Sequence, residues 1–286
     1  MRISMQDRRA GKLHYARFAM RWKNLSELKK ERVTLILSPH LDDVFLSLYA
    51  TILSGKLGRN ILGVNFFTAS DSSVDAKAST TFRTVAGTSI RRMEEEMRFS
   101  KLLFSHGINY LPVFLGLKEA SIGGYYKFIA GALMGKLSKN AGMRDVSLAV
   151  YSRMVSDYAQ ELDVFEALGP LLAQFSGSIK DVLAPIGIGT HIDHGVVAQS
   201  ALKSVRGLKL GLYAEIPYVY MSNNMSLSKL RANVPRGFVK PMETGFDPEE
   251  KAKLFRKLYP SQYEERTREA LFAVGKGLGE VILWKK

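Results

Sequence analysis

Apolar runs and amphipathic segments alternate along most of the chain. The apolar runs are short and rich in β-branched residues, which is typical of strands buried on both faces. The segments between them have the spacing of helices. Strands are predicted at 33–38, 60–68, 110–115, 181–185, 209–216 and 280–284. Helices are predicted at 44–54, 90–106, 150–175, 194–205 and 264–274, with another starting after Asp247, a good N-cap followed by Pro248.

This alternation predicts βαβ units. It therefore indicates the α/β class, with a mostly parallel sheet and helices on both faces. In such sheets, ligands bind at the carboxyl ends of the strands. Neither a G-x-G-x-x-G after the first strand nor a G-x-x-x-x-G-K-[ST] occurs, so the common nucleotide-binding fingerprints are absent.

Composition adds one restriction on the chemistry. The 286 residues are 46% hydrophobic and 24% charged, which is ordinary for a globular protein and excludes wholesale disorder. The chain has no cysteine, so disulfides, thiol nucleophiles and thiolate metal sites are excluded. A metal ion in this protein must be held by nitrogen and oxygen.

The charge is strongly positive and unevenly spread. Half of the net charge of +14 lies in residues 1–32, where six Arg and four Lys face three acidic residues. We interpret 1–32 as a basic N-terminal extension and 33–286 as a single domain. The extension either docks on this domain or lies on an anionic membrane or lipid-linked sugar. Docking is favoured because the apolar stripe within 13–28 is irregular.

Targeting and partner signals are weak. The chain has neither the apolar core of a signal peptide nor 18 uninterrupted apolar residues, so we expect a cytoplasmic protein, with membrane association through residues 1–32 as the alternative. Net charge alone suggests nucleic acid, but helix-turn-helix, zinc-finger and RRM signatures are missing, so nucleic acid is not an expected partner.

Two polar motifs follow two of the predicted strands. The first strand leads into Ser38-Pro39-His40-Leu41-Asp42-Asp43, and the fourth leads into a Gly-rich turn and His191-Ile192-Asp193-His194. Three of the five histidines of the chain lie in these motifs. Both motifs fall where an α/β sheet places its active site. The alternative, that Asp42 or Asp43 only caps a helix, explains one motif but not two in matching positions.

The spacing of the first motif suits a metal. His40 and Asp43 are three residues apart at the start of a helix, so their side chains share a face. His194 can supply a third ligand, which gives the three protein ligands of a catalytic zinc site. Asp42 can then accept a proton from the attacking water, and His191, as imidazolium, can stabilise an oxyanion or protonate a leaving amine. Asp193 can orient one of the histidines.

The two motifs resemble those of the LmbE-like deacetylase family, named for GlcNAc-phosphatidylinositol de-N-acetylase (PIG-L): Pro-His-x-Asp-Asp and His-x-Asp-His. Weaker similarity continues at 90–96, 213–218 and 259–262. The resemblance implies a Rossmann-like fold and zinc-dependent removal of an N-acetyl group from a glucosamine-type sugar. It implies zinc binding by His40, Asp43 and His194, a general base at Asp42 and an acid or electrophile at His191. Another divalent metal such as Fe²⁺ is an alternative to zinc.

The resemblance also implies a substrate-contacting arginine, which is Arg92 or Arg91 here, with a solvated helix face as the alternative. Asp71, in the polar loop 69–89, is a weaker candidate for a sugar contact. The chain departs from the family at Val44, where many members have glutamate, and at Gly189, where some have a mobile tyrosine. Hydrolysis of another glycoconjugate amide, or sugar binding without catalysis, are the alternative functions.

Overall fold

A computed structural model describes residues 31–70, 85–120, 164–175, 177–189 and 191–286. Within these residues one sheet of seven strands has the order β3-β2-β1-β4-β5-β7-β6. The strands are β1 (Val33–Ser38), β2 (Asn60–Ala69), β3 (Asn109–Lys118), β4 (Ile179–Pro185), β5 (Lys209–Tyr213), β6 (Phe238–Thr244) and β7 (Glu280–Lys285). Strands β1 to β5 are parallel, whereas β7 is antiparallel to both β5 and β6.

The helices connect these strands in the predicted alternation. They are α1 (Asp43–Leu53), α2 (Val85–Ser105), α3 (Val164–Phe175), α4 (Ile192–Ser204), α5 (Tyr218–Met221), α6 (Leu227–Ala232), α7 (Pro248–Leu258) and α8 (Glu265–Lys276). All six residues of β1 are buried, so both faces of the sheet are covered at its centre. The predicted class, an α/β fold with a mostly parallel sheet, is confirmed.

The core joins distant helices through aromatic side chains. Phe45 of α1 packs against Phe99 of α2 and Phe255 of α7, with ring centroids 5.4 and 5.6 Å apart. Helix α4 packs against β1, β4 and α3. These contacts fix the start of α1 and the start of α4 relative to the sheet, and both helix starts carry residues of the two polar motifs.

Some predicted bounds differ from the structure. Helix α2 begins at Val85, inside the predicted polar loop, where the Ser89 hydroxyl donates to the Val85 carbonyl (2.6 Å) and accepts from the Ser70 N–H (2.9 Å). Strand β5 ends at Tyr213 rather than at 216. Strand β6 was missed because Pro241 interrupts its pattern; proline is tolerated there because β6 is an edge strand.

Several predictions concern residues that the structure does not describe. The basic extension up to residue 30, the loop at 71–84 and the first part of the predicted helix 150–175 lie outside the described residues. The domain boundary at residue 32 therefore stays a prediction. Among the helices that are described, none is both long and apolar enough to cross a membrane.

Candidate active site

The two polar motifs meet at the carboxyl ends of β1 and β4. These strands are parallel neighbours, with Ile36 opposite Leu183. Strands β2 and β3 lie on one side of β1, and β4 and β5 lie on the other, so the motifs sit where the strand order reverses. An open α/β sheet binds its ligands at such a position. The topology alone therefore brings the two motifs to one site.

Three histidine rings face one another at this position. The ring centroid of His40 lies 4.8 Å from that of His191 and 5.3 Å from that of His194, and the last two are 5.0 Å apart. One ring nitrogen from each lies within 4.8 Å of the others. Asp43 adjoins this cluster: its Oδ2 is 3.5 Å from His194 Nε2 and accepts the His40 backbone N–H at 2.8 Å.

These residues fit a divalent metal ion. His40, Asp43 and His194 are all buried, at 6%, 3% and 0% exposure. Both ring nitrogens of His40, and Nε2 of His194, are buried without a hydrogen bond to any described residue. Buried polar atoms normally have a partner, so the arrangement leaves lone pairs for a ligand. Nitrogen and oxygen donors of this kind suit zinc or iron(II).

Carboxylates around His40 make the centre of the site attractive to cations. His40 Nδ1 is 3.2 Å from Glu119 Oε1, and Nε2 is 3.5 Å from Asp193 Oδ2. Burial lowers the pKa of His40, but the adjacent Glu119 carboxylate and the charges of Asp43 and Asp193 outweigh burial and raise it to about 9. The same field favours a metal cation among the rings.

Asp42 does not act as a helix cap through its side chain. It occupies the N-cap position of α1, but its carboxylate accepts no hydrogen bond from the helix, whereas Asp247 caps α7 by accepting from the N–H groups of Glu249 and Glu250. The Asp42 side chain is 16% exposed, and its Oδ1 lies 3.3 Å from Arg92 Nη2. The capping alternative therefore does not account for Asp42.

Arg92 lies inside the site. It is 3% exposed, so the solvated helix face does not apply to it. Its Nη1 donates to Ser70 Oγ (2.7 Å) and to Glu119 Oε1, while Nη2 reaches Asp42. Arg91 is partly exposed and pairs with Glu95 at 3.6 Å. Of the two candidate arginines, only Arg92 therefore reaches the general-base candidate.

His191 is the third histidine of the cluster. It is partly exposed at the start of α4, and the Tyr218 ring lies 5.6 Å from its ring and 4.7 Å from that of His194. Burial lowers the pKa of His191 well below its usual value, and the positive charges of His40, His194 and Arg92 lower it further. This environment favours a neutral imidazole, in contrast to the imidazolium considered from the sequence.

Two acidic residues that the sequence analysis did not assign lie in or beside the cluster. Glu119, directly after β3, bridges His40 and Arg92 and accepts from the Ser70 hydroxyl at 2.6 Å. Glu215, shortly after β5, is fully buried with its Oε1 3.4 Å from His194 Nδ1. Both follow strands of the parallel sheet, and this position was the signal that could have found them.

Asp193, the predicted orienting residue, lies beside His40. Its Oδ2 faces His40 Nε2 and accepts the Ala120 N–H at 3.2 Å. Burial raises the pKa of Asp193 to about 6, and the charge of His40 opposes this. Asp71, the other candidate for a sugar contact, lies outside the described residues.

A polar cavity of about 120 Å³ opens onto the histidine cluster. Its lining includes Asp42, Arg92, Glu119 and Tyr218. Such a mixture of carboxylates, a guanidinium group and an aromatic ring suits a ligand with hydroxyl groups and an apolar face. The full lining is His40, Asp42, Asp43, Leu46, Arg92, Glu119, His191, Pro217, Tyr218 and Gln262.

Comparison with solved structures identifies the fold. The chain is similar to a deacetylase–teicoplanin complex (18% identity, 88% of this chain and 97% of that chain covered, TM-score 0.54). It is also similar to A40926 pseudoaglycone deacetylase Dbv21 (19%, 89% and 96%, 0.53) and to the zinc-inhibited form of teicoplanin deacetylase Orf2 (19%, 88% and 97%, 0.53). No protein-family model and no curated protein sequence matches the chain. The fold implied by the resemblance is thus confirmed.

Proposed function

We propose that this protein is a metal-dependent hydrolase that removes the N-acetyl group from an N-acetylglucosamine-type sugar. The convergence of His40, Asp42, Asp43, His191 and His194 at one end of the sheet carries this proposal. The fold supports it, because solved structures of the same fold are described as deacetylases of teicoplanin and of the A40926 pseudoaglycone.

In this proposal His40, Asp43 and His194 hold the metal, which is zinc or another divalent ion such as Fe²⁺. When bound, such an ion lowers the pKa of a water molecule and polarises the amide carbonyl. One of the similar structures is a zinc-inhibited form of a deacetylase, so metal titrations should extend beyond one equivalent of zinc.

The remaining residues handle protons and position the substrate. Asp42 reaches the cavity and accepts a proton from the attacking water, while Arg92 holds its carboxylate in place. The neutral His191 imidazole donates a hydrogen bond to the developing oxyanion, and the proton that Asp42 accepted from the water passes to the leaving amine. Arg92 and Asp71 are the proposed contacts to the sugar hydroxyls, and Asp193 orients His40.

The experiment measures metal content together with activity. Purified protein loaded with Zn²⁺ or Fe²⁺ is assayed for acetate and free amine on N-acetylated amino sugars. We expect Asp42→Asn to retain metal and lose about 10²- to 10⁴-fold in kcat. A protein that binds no divalent metal, or an Asp42→Asn variant as active as wild type, would contradict the proposal. A longer acid released in place of acetate would favour hydrolysis of another glycoconjugate amide.

A further inference from the structure

Glu215 is a buried acid whose partners are all part of the site's scaffold. It is 0% exposed. Its Oε1 accepts the backbone N–H groups of Gly187 (2.7 Å) and Ile188 (3.1 Å), and its Oε2 accepts that of Ile186 (3.2 Å). These three residues form the turn between β4 and the second motif. Three backbone hydrogen bonds therefore hold the carboxylate in place.

The same carboxylate faces a metal-ligand candidate. Glu215 Oε1 lies 3.4 Å from His194 Nδ1. A carboxylate only accepts hydrogen bonds, so this contact requires the proton of a neutral imidazole to be on Nδ1. Nε2 then carries the lone pair, and Nε2 is the nitrogen that faces Asp43 and has no hydrogen bond to a described residue.

The turn that Glu215 holds also packs closely on α4. Gly187 has a φ of +82°, and a Cβ there would lie 3.3 Å from the Cβ of Ala198 and 3.4 Å from the Cα of Gly195. The turn thus packs directly on the helix that carries His194. Glu215 contacts both the backbone that leads to the second motif and the last histidine of that motif.

We propose that Glu215 is a positioning residue that fixes the tautomer and orientation of His194 so that its Nε2 binds the metal. The inference rests on the proposed metal site and adds a residue from outside both sequence motifs. Carboxylates that accept from the second nitrogen of a metal-bound histidine commonly contribute 10- to 100-fold to metal affinity.

The test compares zinc affinity in two variants by competition with a chelator. We expect Glu215→Gln to weaken Zn²⁺ binding about 10- to 100-fold. Glu96→Gln is the matched control: Glu96 is equally buried, but it bonds to Tyr110 and Tyr259 rather than to a histidine. Zinc affinity should be unchanged in the control.

A second measurement does not depend on how the variants fold. ¹⁵N–¹H NMR of the imidazole groups in the zinc-loaded wild type should show His194 protonated at Nδ1, with the ring signal assigned through its bonds to the His194 backbone. Protonation at Nε2, or equal zinc affinity of Glu215→Gln and wild type, would overturn the inference while leaving the proposed function standing. A wild type that binds no zinc or other divalent metal would overturn both.

Discussion

At the scale of single residues, the two sequence motifs predict the residues at the centre of the site but not those around it. His40, Asp42 and Asp43 lie within four residues at the start of a helix, so the sequence alone predicts that they share one site. Glu119 and Glu215 lie outside the two motifs, each after a different strand, and the sheet brings them to the histidines. Contacts of this kind depend on strand order, which a single sequence does not specify.

The geometry leaves a choice of ligand set that two variants can resolve. Three histidine nitrogens lie within 4.8 Å of one another, and Asp43 lies beside them. If Asp43 is a ligand, Asp43→Asn should lose zinc, because an amide oxygen is a weaker ligand than a carboxylate. His191→Gln should keep zinc and lose about 10²- to 10³-fold in kcat, as expected for a lost oxyanion donor.

Metal analysis and kinetics of the same preparations check this expectation. Asp193→Asn serves as a comparison: this residue orients His40 but is not a proposed ligand, so its replacement should weaken metal binding less than Asp43→Asn does. The reverse pattern, in which His191→Gln loses the metal and Asp43→Asn keeps it, would assign the three histidines as the ligand set and remove Asp43 from it.

At the scale of elements, the sequence predicted the parallel strands well and the antiparallel edge poorly. Strands β1, β2 and β4 are almost wholly buried apolar runs, so their sequences alone indicate strands. Strand β6 mixes exposed and half-buried residues around Pro241, and only its pairing with β7 makes it a strand. The need for glycine at position 63 of β2 likewise comes from a neighbouring strand: a Cβ there would lie 2.4 Å from the hydroxyl oxygen of Tyr110 in β3.

Helix α2 is held to its neighbours through Glu96. The hydroxyl groups of Tyr110 in β3 and Tyr259 after α7 donate to its two carboxyl oxygens at 2.5 and 2.6 Å. Burial raises the pKa of Glu96 to about 8, although both hydrogen bonds act to lower it. The folded protein therefore keeps a proton that the unfolded chain, with a glutamate pKa of about 4.3, releases.

This difference predicts how pH changes the stability. Because the folded state binds the extra proton, the free energy of unfolding contributed by Glu96 is fully present below about pH 4.3 and falls as the pH rises towards 8. Glu96→Gln removes this dependence of the free energy of unfolding on pH. The stability of the variant relative to wild type should therefore increase between pH 5 and 8, on the order of a few kcal/mol.

Urea unfolding of both proteins at several pH values measures the effect. Glu94→Gln on the same helix is the control, because Glu94 is exposed to water and its replacement should leave the pH slope of wild type unchanged. Parallel pH profiles for Glu96→Gln and wild type would show that Glu96 is not the source of the slope.

At the scale of the whole molecule, buried charges join parts of the chain that no local pattern connects. Lys251 of α7 donates to Glu280 of β7 at 2.5 Å and to the Leu46 carbonyl of α1 at 2.6 Å. Glu280 in turn accepts the Thr51 N–H at 2.7 Å. The sequence predicts the helix of Lys251 and the strand of Glu280. It does not predict that these two side chains are buried, because charged residues are expected at the surface.

The distribution of net charge leads to the prediction for the intact chain. Residues 1–28 contain seven Arg and Lys, whereas the proposed metal ligands and catalytic residues lie within 40–194. Basic residues near an anionic bilayer contribute about 1 kcal/mol each at most, and salt screens this attraction. Deleting residues 1–28 should therefore weaken binding to phosphatidylserine-containing vesicles tenfold or more and leave zinc content unchanged.

Sedimentation at low and high salt, with phosphatidylcholine vesicles as the control, measures the binding. Equal binding of both proteins, together with a lower Tm of the shortened one, would favour an extension docked on its own domain.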